Sequence, residues 1–248
     1  MDLTAFLDGA SVDDAVFALR PDYRALLLAV DGLDPATAAS TTDGAEAPDP
    51  DELLAAAEAS AATALAERPV EELPHVAAWR EAYRAFGAKP QRTRNSAEAL
   101  LRRAATGLPR VNRLTDVYNA VSVRHQMPLG GEDLARYVGS PRLVRADGTE
   151  DFDTTAGGEP VVEHPEPGEV VWRDDAGVTC RRWNWRQARR TGLTPQTTAA
   201  FFVLDALDPL TDAELDATAD ELVGHLSALG DVRVARRVLR QGDASSRR

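Results

Sequence analysis

Apolar residues recur along this chain with two periods, and the periods divide it into elements. Residues 12–31 read as two extended segments around Arg20-Pro21. The second holds the uninterrupted run Ala25–Val30, ALLLAV, which is too short and too apolar for a surface element. Residues 35–50, PATAASTTDGAEAPDP, are small, polar and proline-rich, the composition of a flexible surface loop. Helical spacing then takes over. Asp51–Glu67 places Leu53, Leu54, Ala57, Ala61 and Leu65 on one face. Pro74–Phe86 does the same with Val76, Trp79, Tyr83 and Phe86, and Gly87 ends it. Asn95-x-x-Glu98 opens a further helix in the manner of a capping box, with Leu100 and Leu101 inward and Arg102 and Arg103 outward. Leu114, Val117 and Val121 define a helix over Val111–Gln126.

Beyond it, Pro128-Leu129-Gly130-Gly131 reads as a turn before a short helix, Glu132–Val138. Leu143–Arg145, Glu169–Trp172 and Val178–Arg182 read as strands, the last two joined by a hairpin turn at Asp174–Gly177. Ala199–Leu204 suits a buried strand. Thr211-x-x-Glu214 caps a long helix with Leu215, Leu222, Val223, Leu226 and Leu229 inward and Gly230 at its end. A last strand lies in Val232–Leu239, and the tail QGDASSRR frays. LLLAVDGLDPAT echoes FFVLDALDPLT: each is an apolar strand leading to an Asp-Pro turn. The echo predicts two paired strands of one sheet that join the chain's ends. The expectation is a single α+β domain over residues 1–248, a central mixed or antiparallel sheet flanked by helices.

Composition narrows the class. With 44% hydrophobic residues in 248, the chain can bury a real core, and no run approaches the ~18 apolar residues of a membrane span. The start, MDLTAFLDGA, carries acids where a secretory signal is basic. One cysteine, Cys180, excludes an internal disulfide framework and a multi-cysteine metal site, and predicts no disulfide-linked partner. A cytoplasmic location without membrane contact is the expectation. The net charge of −12 is uneven: −12 over residues 1–88, +7 over 89–145, −9 over 146–180, and five arginines with no acid in 181–190. Lys89 is the sole lysine, and Asp outnumbers Glu. This resembles proteins of salt-loving archaea; a GC-rich genome is the alternative. In high salt the acidity speaks to solubility more than to partners.

The chemistry concentrates in one place. No nucleophile elbow, Walker loop, dinucleotide fingerprint or zinc-protease motif is present, and His75, His125, His164 and His225 have no ligand spacing. No metal and no cofactor are expected. Cys180 alternates with Val178 in a strand, as a buried inert thiol does. Residues 181–190, RRWNWRQARR, interleave Arg181, Arg182, Arg186, Arg189 and Arg190 with Trp183 and Trp185. Guanidinium forks match phosphates and indoles stack on bases, so the run suits an RNA segment. The alternative is a solvated arginine face over core tryptophans. Asp174 and Asp175 are placed to pair with Arg181 or Arg182, or to orient an arginine for substrate.

Three blocks in order carry a family resemblance: GLPRVNRLTDVYNAVSVRHQMPLGGEDL from Gly107, PRLVRADGTEDF from Pro141, and GEVVWRDDAGVTCRRWNWRQARRTGLTPQTTAAFFVLDAL from Gly168. An upstream block holds Trp79, Tyr83, Phe86, Gly87, Lys89 and Pro90. The chain resembles the tRNA-binding and editing portion, the third and fourth modules, of the phenylalanyl-tRNA synthetase beta subunit, over roughly residues 76–207. It looks most like prokaryotic proteins built from that portion alone. The resemblance implies the editing-domain α+β fold. It also implies tRNA or aminoacyl-tRNA as partner, and hydrolysis of misacylated tRNA in trans rather than tRNA charging.

Asp116, Asn119 and Pro128 match the synthetase pattern, but Tyr118 stands for its threonine and Gly130 for its histidine. The editing pocket is therefore expected to be remodelled. On this reading Asn119 and Arg182 are catalytic. Arg113, Tyr118, Gly130 and Asp175 bind substrate. Trp183, Trp185, Arg186, Arg189 and Arg190 bind RNA. Asn119 equally suits a packed helix amide, and a non-catalytic RNA-binding or amino-acid-like small-molecule module is the alternative function.

Overall fold

The computed structural model describes residues 1–39 and 49–242. In chain order the elements are α1 Leu3–Asp8, β1 Ser11–Val12, α2 Asp14–Phe17, β2 Arg24–Leu33, α3 Pro35–Ala39, α4 Pro50–Glu67, α5 Pro74–Ala85, α6 Ser96–Ala104 and α7 Arg113–Arg124. There follow β3 Leu129–Asp133, β4 Arg142–Arg145, β5 Phe152–Ala156, β6 Glu159–Glu163, β7 Val170–Arg173, β8 Val178–Arg181, β9 Arg186–Gln187, β10 Ala199–Ala206, α8 Asp212–Ser227 and β11 Gly230–Arg240.

The two apolar runs form the centre. β10 lies antiparallel to β2 with Leu204 opposite Leu26 and Ala200 opposite Val30, in a four-stranded sheet of order β11-β2-β10-β3. Both runs are buried on both faces, and the alternation of a strand sends successive residues into different cores. Leu27, Phe201 and Val203 meet Trp79, Trp172 and Trp183 on one side. Leu26, Leu28, Phe202 and Leu204 meet Leu114 and Val117 of α7 and Leu215 and Leu222 of α8 on the other. A second sheet, β1-β4-β7-β8-β9, packs against the first through the tryptophan side, and β5-β6 is a separate ribbon. A third cluster binds α4, α5, α6 and α7 together through Leu54, Ala57, Val76, Leu101 and Ala120. The fold is thus α+β, with sheets flanked by helices.

Helix starts follow the side chains that satisfy their orphan amides. Asn95 accepts from the Glu98 amide (2.9 Å), Asn112 from Thr115, and Thr211 and Glu214 close a reciprocal capping box.

Four expectations need correction. The first extended segment of 12–31 contains the helical turn α2, which brings Val16 and Phe17 into one core with Tyr23. The stretch from Pro35 is not all loop. Asp34 caps it, accepting from the Ala36 amide (2.9 Å), and residues 35–39 are helical; residues 40–48 lie outside the described residues. Pro128–Gly131 is not a free turn, because Leu129–Asp133 pairs with β10 as the edge strand β3. The short helix after it shrinks to one 3-10 turn, Leu134–Arg136. Of the tail, residues 243–248 lie outside the described residues.

Candidate functional site

The arginine-tryptophan run builds a tight turn rather than an open face. Strand β8 ends at Arg181, and the next two residues take left-handed backbone angles, φ 48° at Arg182 and 69° at Trp183. Such angles cost a non-glycine residue of order 1–3 kcal/mol each, so surrounding contacts must hold them. Trp183 is wholly buried, edge-on to Tyr23 (4.9 Å between centroids) and Trp79 (5.3 Å). Its amide donates to the Val170 carbonyl (2.7 Å), and the Trp185 amide to that of Arg181 (3.0 Å). Asn184 accepts from the Tyr83 hydroxyl (2.9 Å) and donates to Asp205 (3.2 Å), while its carbonyl receives the Ser96 amide at the start of α6. The turn is therefore locked to α5, α6 and β10. It aims Trp185 and Arg186 into a cavity.

That cavity, about 260 Å³, lies where the two sheets meet α6 and α7. Its apolar wall includes Leu100, Tyr118, Leu129, Trp172 and Val203; its polar groups are Asn119, Glu132, Asn184, Gln187 and Asp205. Asn119 is more than nine-tenths buried, and its side-chain amide, on the cavity wall, makes no hydrogen bond to any described residue. It presents both a donor pair and an acceptor to an occupant. The Trp172 indole N–H is likewise buried without a partner.

Two buried carboxyls border the same space. Asp205 accepts from the Tyr23 hydroxyl (2.5 Å) and from Asn184, yet burial outweighs these bonds and pushes its pKa up to about 7. Glu132 accepts from the hydroxyls of Tyr137 and Thr191, and burial lifts it to about 7 as well. Both groups are poised to exchange a proton near neutrality. Burial drives the Cys180 thiol well above its ordinary range, so the lone cysteine is a wall group and not a nucleophile. Among the described residues no cluster of acids, histidines or cysteine is arranged to hold a metal.

The structure brings some of the expected site residues together and separates others. Asn119, Tyr118, Gly130, Trp183, Trp185 and Arg186 all line the cavity. Gly130 is open for a reason: a Cβ there would stand 3.0 Å from Gln187 Nε2, whose amide donates to the Gly131 carbonyl (2.9 Å). Arg182 does not share this cavity. It lines a neighbouring groove, donating to Thr93 Oγ1 (2.5 Å) and lying 3.4 Å from Glu169. Arg113 sits at the start of α7 and donates to the Thr37 carbonyl, outside the cavity lining. Asp175 is exposed and pairs with Arg142, not with Arg181 or Arg182. Asp174 pairs with Arg190 (2.8 Å) and caps its own hairpin turn.

The RNA expectation also changes residue by residue. Trp183 has no face to offer a base. Trp185 has guanidinium carbons of Arg182 and Arg186 at 4.5 and 4.8 Å from its ring centroid, so a base would have to displace one of them. Arg189 pairs with Asp153, and Arg190 with Asp174 and the Arg136 carbonyl. Arg181 is buried against Glu169 and Glu163. Sequence reasoning missed Asp205 and Glu132, and read Asn184 and Gln187 only as amides of the arginine-tryptophan run. Asp205 had a visible signal, a lone acid inside an otherwise apolar strand, whereas the others acquire their role only through tertiary packing.

No helix among the described residues is long and apolar enough to cross a membrane. None of the curated proteins matches the sequence. Among solved structures, the chain is similar to an N-terminal fragment of the phenylalanyl-tRNA synthetase beta subunit from Pyrococcus horikoshii. The identity is 12% and the TM-score 0.42, over 91% of this chain and 49% of that one. The chain thus spans about half the length of that fragment. A family model, the B3/4 domain, matches residues 78–220, which include α6, α7, β3, β7, β8, the turn after it, β9 and β10, every element that lines the cavity. By that match over more than half its length, the chain belongs to the B3/4 domain family.

Proposed function

We propose that the cavity receives the aminoacyl end of a tRNA and that the protein hydrolyses the ester there, acting in trans on misacylated tRNA. The observation that carries this reading is the unpartnered Asn119 amide, buried in the cavity with two carboxyls of raised pKa, Asp205 and Glu132. Buried polar groups are ordinarily satisfied, and an orphan aimed into a cavity marks a place for a ligand's carbonyl or amine. Family membership supports a tRNA-related role, and the synthetase likeness supplies the substrate class.

In the proposed reaction Asn119 donates to the acyl carbonyl oxygen, where negative charge develops. Water adds its oxygen to the acyl carbon as Asp205 or Glu132 takes its proton. The ester C–O bond then breaks, and the ribose oxygen leaves with that proton. The wall of Tyr118, Leu129, Trp172 and Val203 accommodates the amino-acid side chain. Its size follows from Tyr118, which takes space, and Gly130, which leaves it.

One observation favours a second reading. Arg189, Arg190 and Arg181 are committed to internal ion pairs, so a free amino acid or similar small molecule is the alternative occupant. A panel of tRNAs charged with correct and incorrect amino acids separates the two. The proposal expects release of at least one amino acid by the wild-type protein and at least tenfold slower release by Asn119→Ala at an unchanged melting temperature. Binding of a free amino acid without any deacylation selects the second reading.

A further inference from the structure

Three cations without an ionic partner, Lys89, Arg92 and Arg186, line the cavity or the groove beside it. The stacked pair Arg182–Trp185 links two spaces. Trp185 lines the cavity, with Arg186 at its wall. Arg182, whose guanidinium carbon lies 4.5 Å from the Trp185 ring centroid, lines a groove of about 400 Å³ with Lys89, Arg92, Thr93, Glu166 and Glu169. The groove's floor is built by the segment after α5, which returns to the turn after β8 through two contacts. Arg182 donates to Thr93, and the Ser96 amide donates to the Asn184 carbonyl.

Lys89 and Arg92 are exposed, and neither side chain has an ionic or hydrogen-bonding partner among the described residues. Arg186 is exposed too and touches only the Trp185 ring. Most other arginines here are paired, as Arg20, Arg24, Arg80, Arg110, Arg124 and Arg142 show. Of the groove's two acids, Glu169 is already held by Arg181 and Arg182, which leaves Glu166 as the opposing charge. In a chain of net charge −12, two unpaired cations in the groove and one at the cavity wall make a local positive surface.

We infer that Lys89, Arg92 and Arg186 hold the phosphodiesters next to the aminoacylated terminus of the RNA, with the stacked pair Arg182–Trp185 between acyl group and backbone. This inference rests on the function proposed above and names the residues that recognise the polynucleotide part of that substrate. Adjacency decides for phosphate over an acidic peptide, because an acyl group in the cavity brings its own nucleotide linkage to this rim.

The test uses the full chain with Lys89→Ala/Arg92→Ala. Both side chains are exposed and unpaired, so the melting temperature should stay within about a degree of wild type. Binding of a tRNA acceptor-stem minihelix with a single-stranded 3′ end is followed across a salt series. Each single-strand phosphate contact contributes about 0.7 to the slope of log affinity against log salt, so the double variant should flatten the slope by about 1.4. Affinity at low salt should fall by tenfold or more, and KM for deacylation should rise. Arg189→Ala, whose charge is spent on Asp153, should leave the slope unchanged.

A double variant with the wild-type slope and KM overturns the inference while leaving deacylation intact. Displacement of the minihelix by a polyglutamate peptide as effectively as by tRNA assigns the rim to an acidic partner and also overturns it. A wild-type protein that neither binds the minihelix nor deacylates any tRNA removes the proposed function, and the rim inference with it.

Discussion

Replacing Asp205 by Asn removes a proton-binding site from the core without removing volume, and its effect on stability can be worked out from the structure. Burial moves the Asp205 pKa from 3.8 to about 7. The folded state therefore binds a proton that the unfolded state has released between those two values, and folding stability contributed by this group falls as pH rises through that window. The whole displacement is worth about 4 kcal/mol, at 1.36 kcal/mol per pKa unit. Between pH 5 and pH 8 the expected loss is about 2.5 kcal/mol.

Glu132 contributes in the same direction and His75 in the opposite one, but both are present in either protein and cancel in the comparison. With about 2–4 °C per kcal/mol for a chain of this size, wild type should lose 5–10 °C relative to Asp205→Asn on going from pH 5 to pH 8. The variant also disturbs the bonds to Tyr23 and Asn184, which lowers its melting temperature by a similar amount at every pH. The pH dependence of the difference therefore carries the information. Thermal melts followed by circular dichroism at four pH values and constant ionic strength measure it. A difference between the two proteins that stays constant from pH 5 to pH 8 would refute the claim that the Asp205 carboxyl titrates near neutrality.

Other consequences follow from buried partners. Arg181→Ala leaves Glu169 without its bidentate partner (2.8 and 2.9 Å), and chemical denaturation should show a loss of about 3–5 kcal/mol, against under 1 kcal/mol for Arg189→Ala on the exposed Asp153 pair. His75 is held neutral by burial, its pKa lowered from 6.5 to about 4, while its ring bridges Trp79 and the Leu207 amide. The stability it contributes is complete above pH 6.5 and lost as pH falls toward 4, so His75→Phe should flatten the acid limb of the stability profile; an unchanged limb would exclude this role. Cys180 should react with iodoacetamide at pH 8 at least tenfold more slowly in the native protein than after unfolding in denaturant, and equal rates would contradict its assignment as a wall group.

The sheet centre and the helix starts were legible in the sequence because each rests on a local rule. Ala25–Val30 and Ala199–Leu204 are continuous apolar runs, and they pair residue for residue. Asn95 and Thr211 cap helices with their own side chains. What failed depends on partners remote in sequence. Pro128–Gly131 looked like a turn because Gly130 and Gly131 lack side chains, yet their bareness serves the strand β3 by admitting Gln187 and Phe202. The run 181–190 looked like one basic surface, but Arg181 and Arg182 share Glu169, Arg189 and Arg190 pair with Asp153 and Asp174, Arg186 alone has no acid among the described residues, and Trp183 turns inward through its left-handed backbone. Charge alone does not reveal which cations are already spent. Of the candidate site, Asn119, Tyr118 and Gly130 line the cavity, while Arg182 lines the neighbouring groove.

The most direct test of the account is whether the cavity holds an aminoacyl group through Asn119. Hydrolysis-resistant aminoacyl-adenosine analogues, with an amide in place of the ester and a range of side chains, can be titrated calorimetrically into wild type and Asn119→Ala. The account predicts one site per chain for at least one side chain, with affinity at least tenfold weaker in the variant at an unchanged melting temperature. Equal affinity in the two proteins, or no binding of any analogue to the wild type, would contradict it.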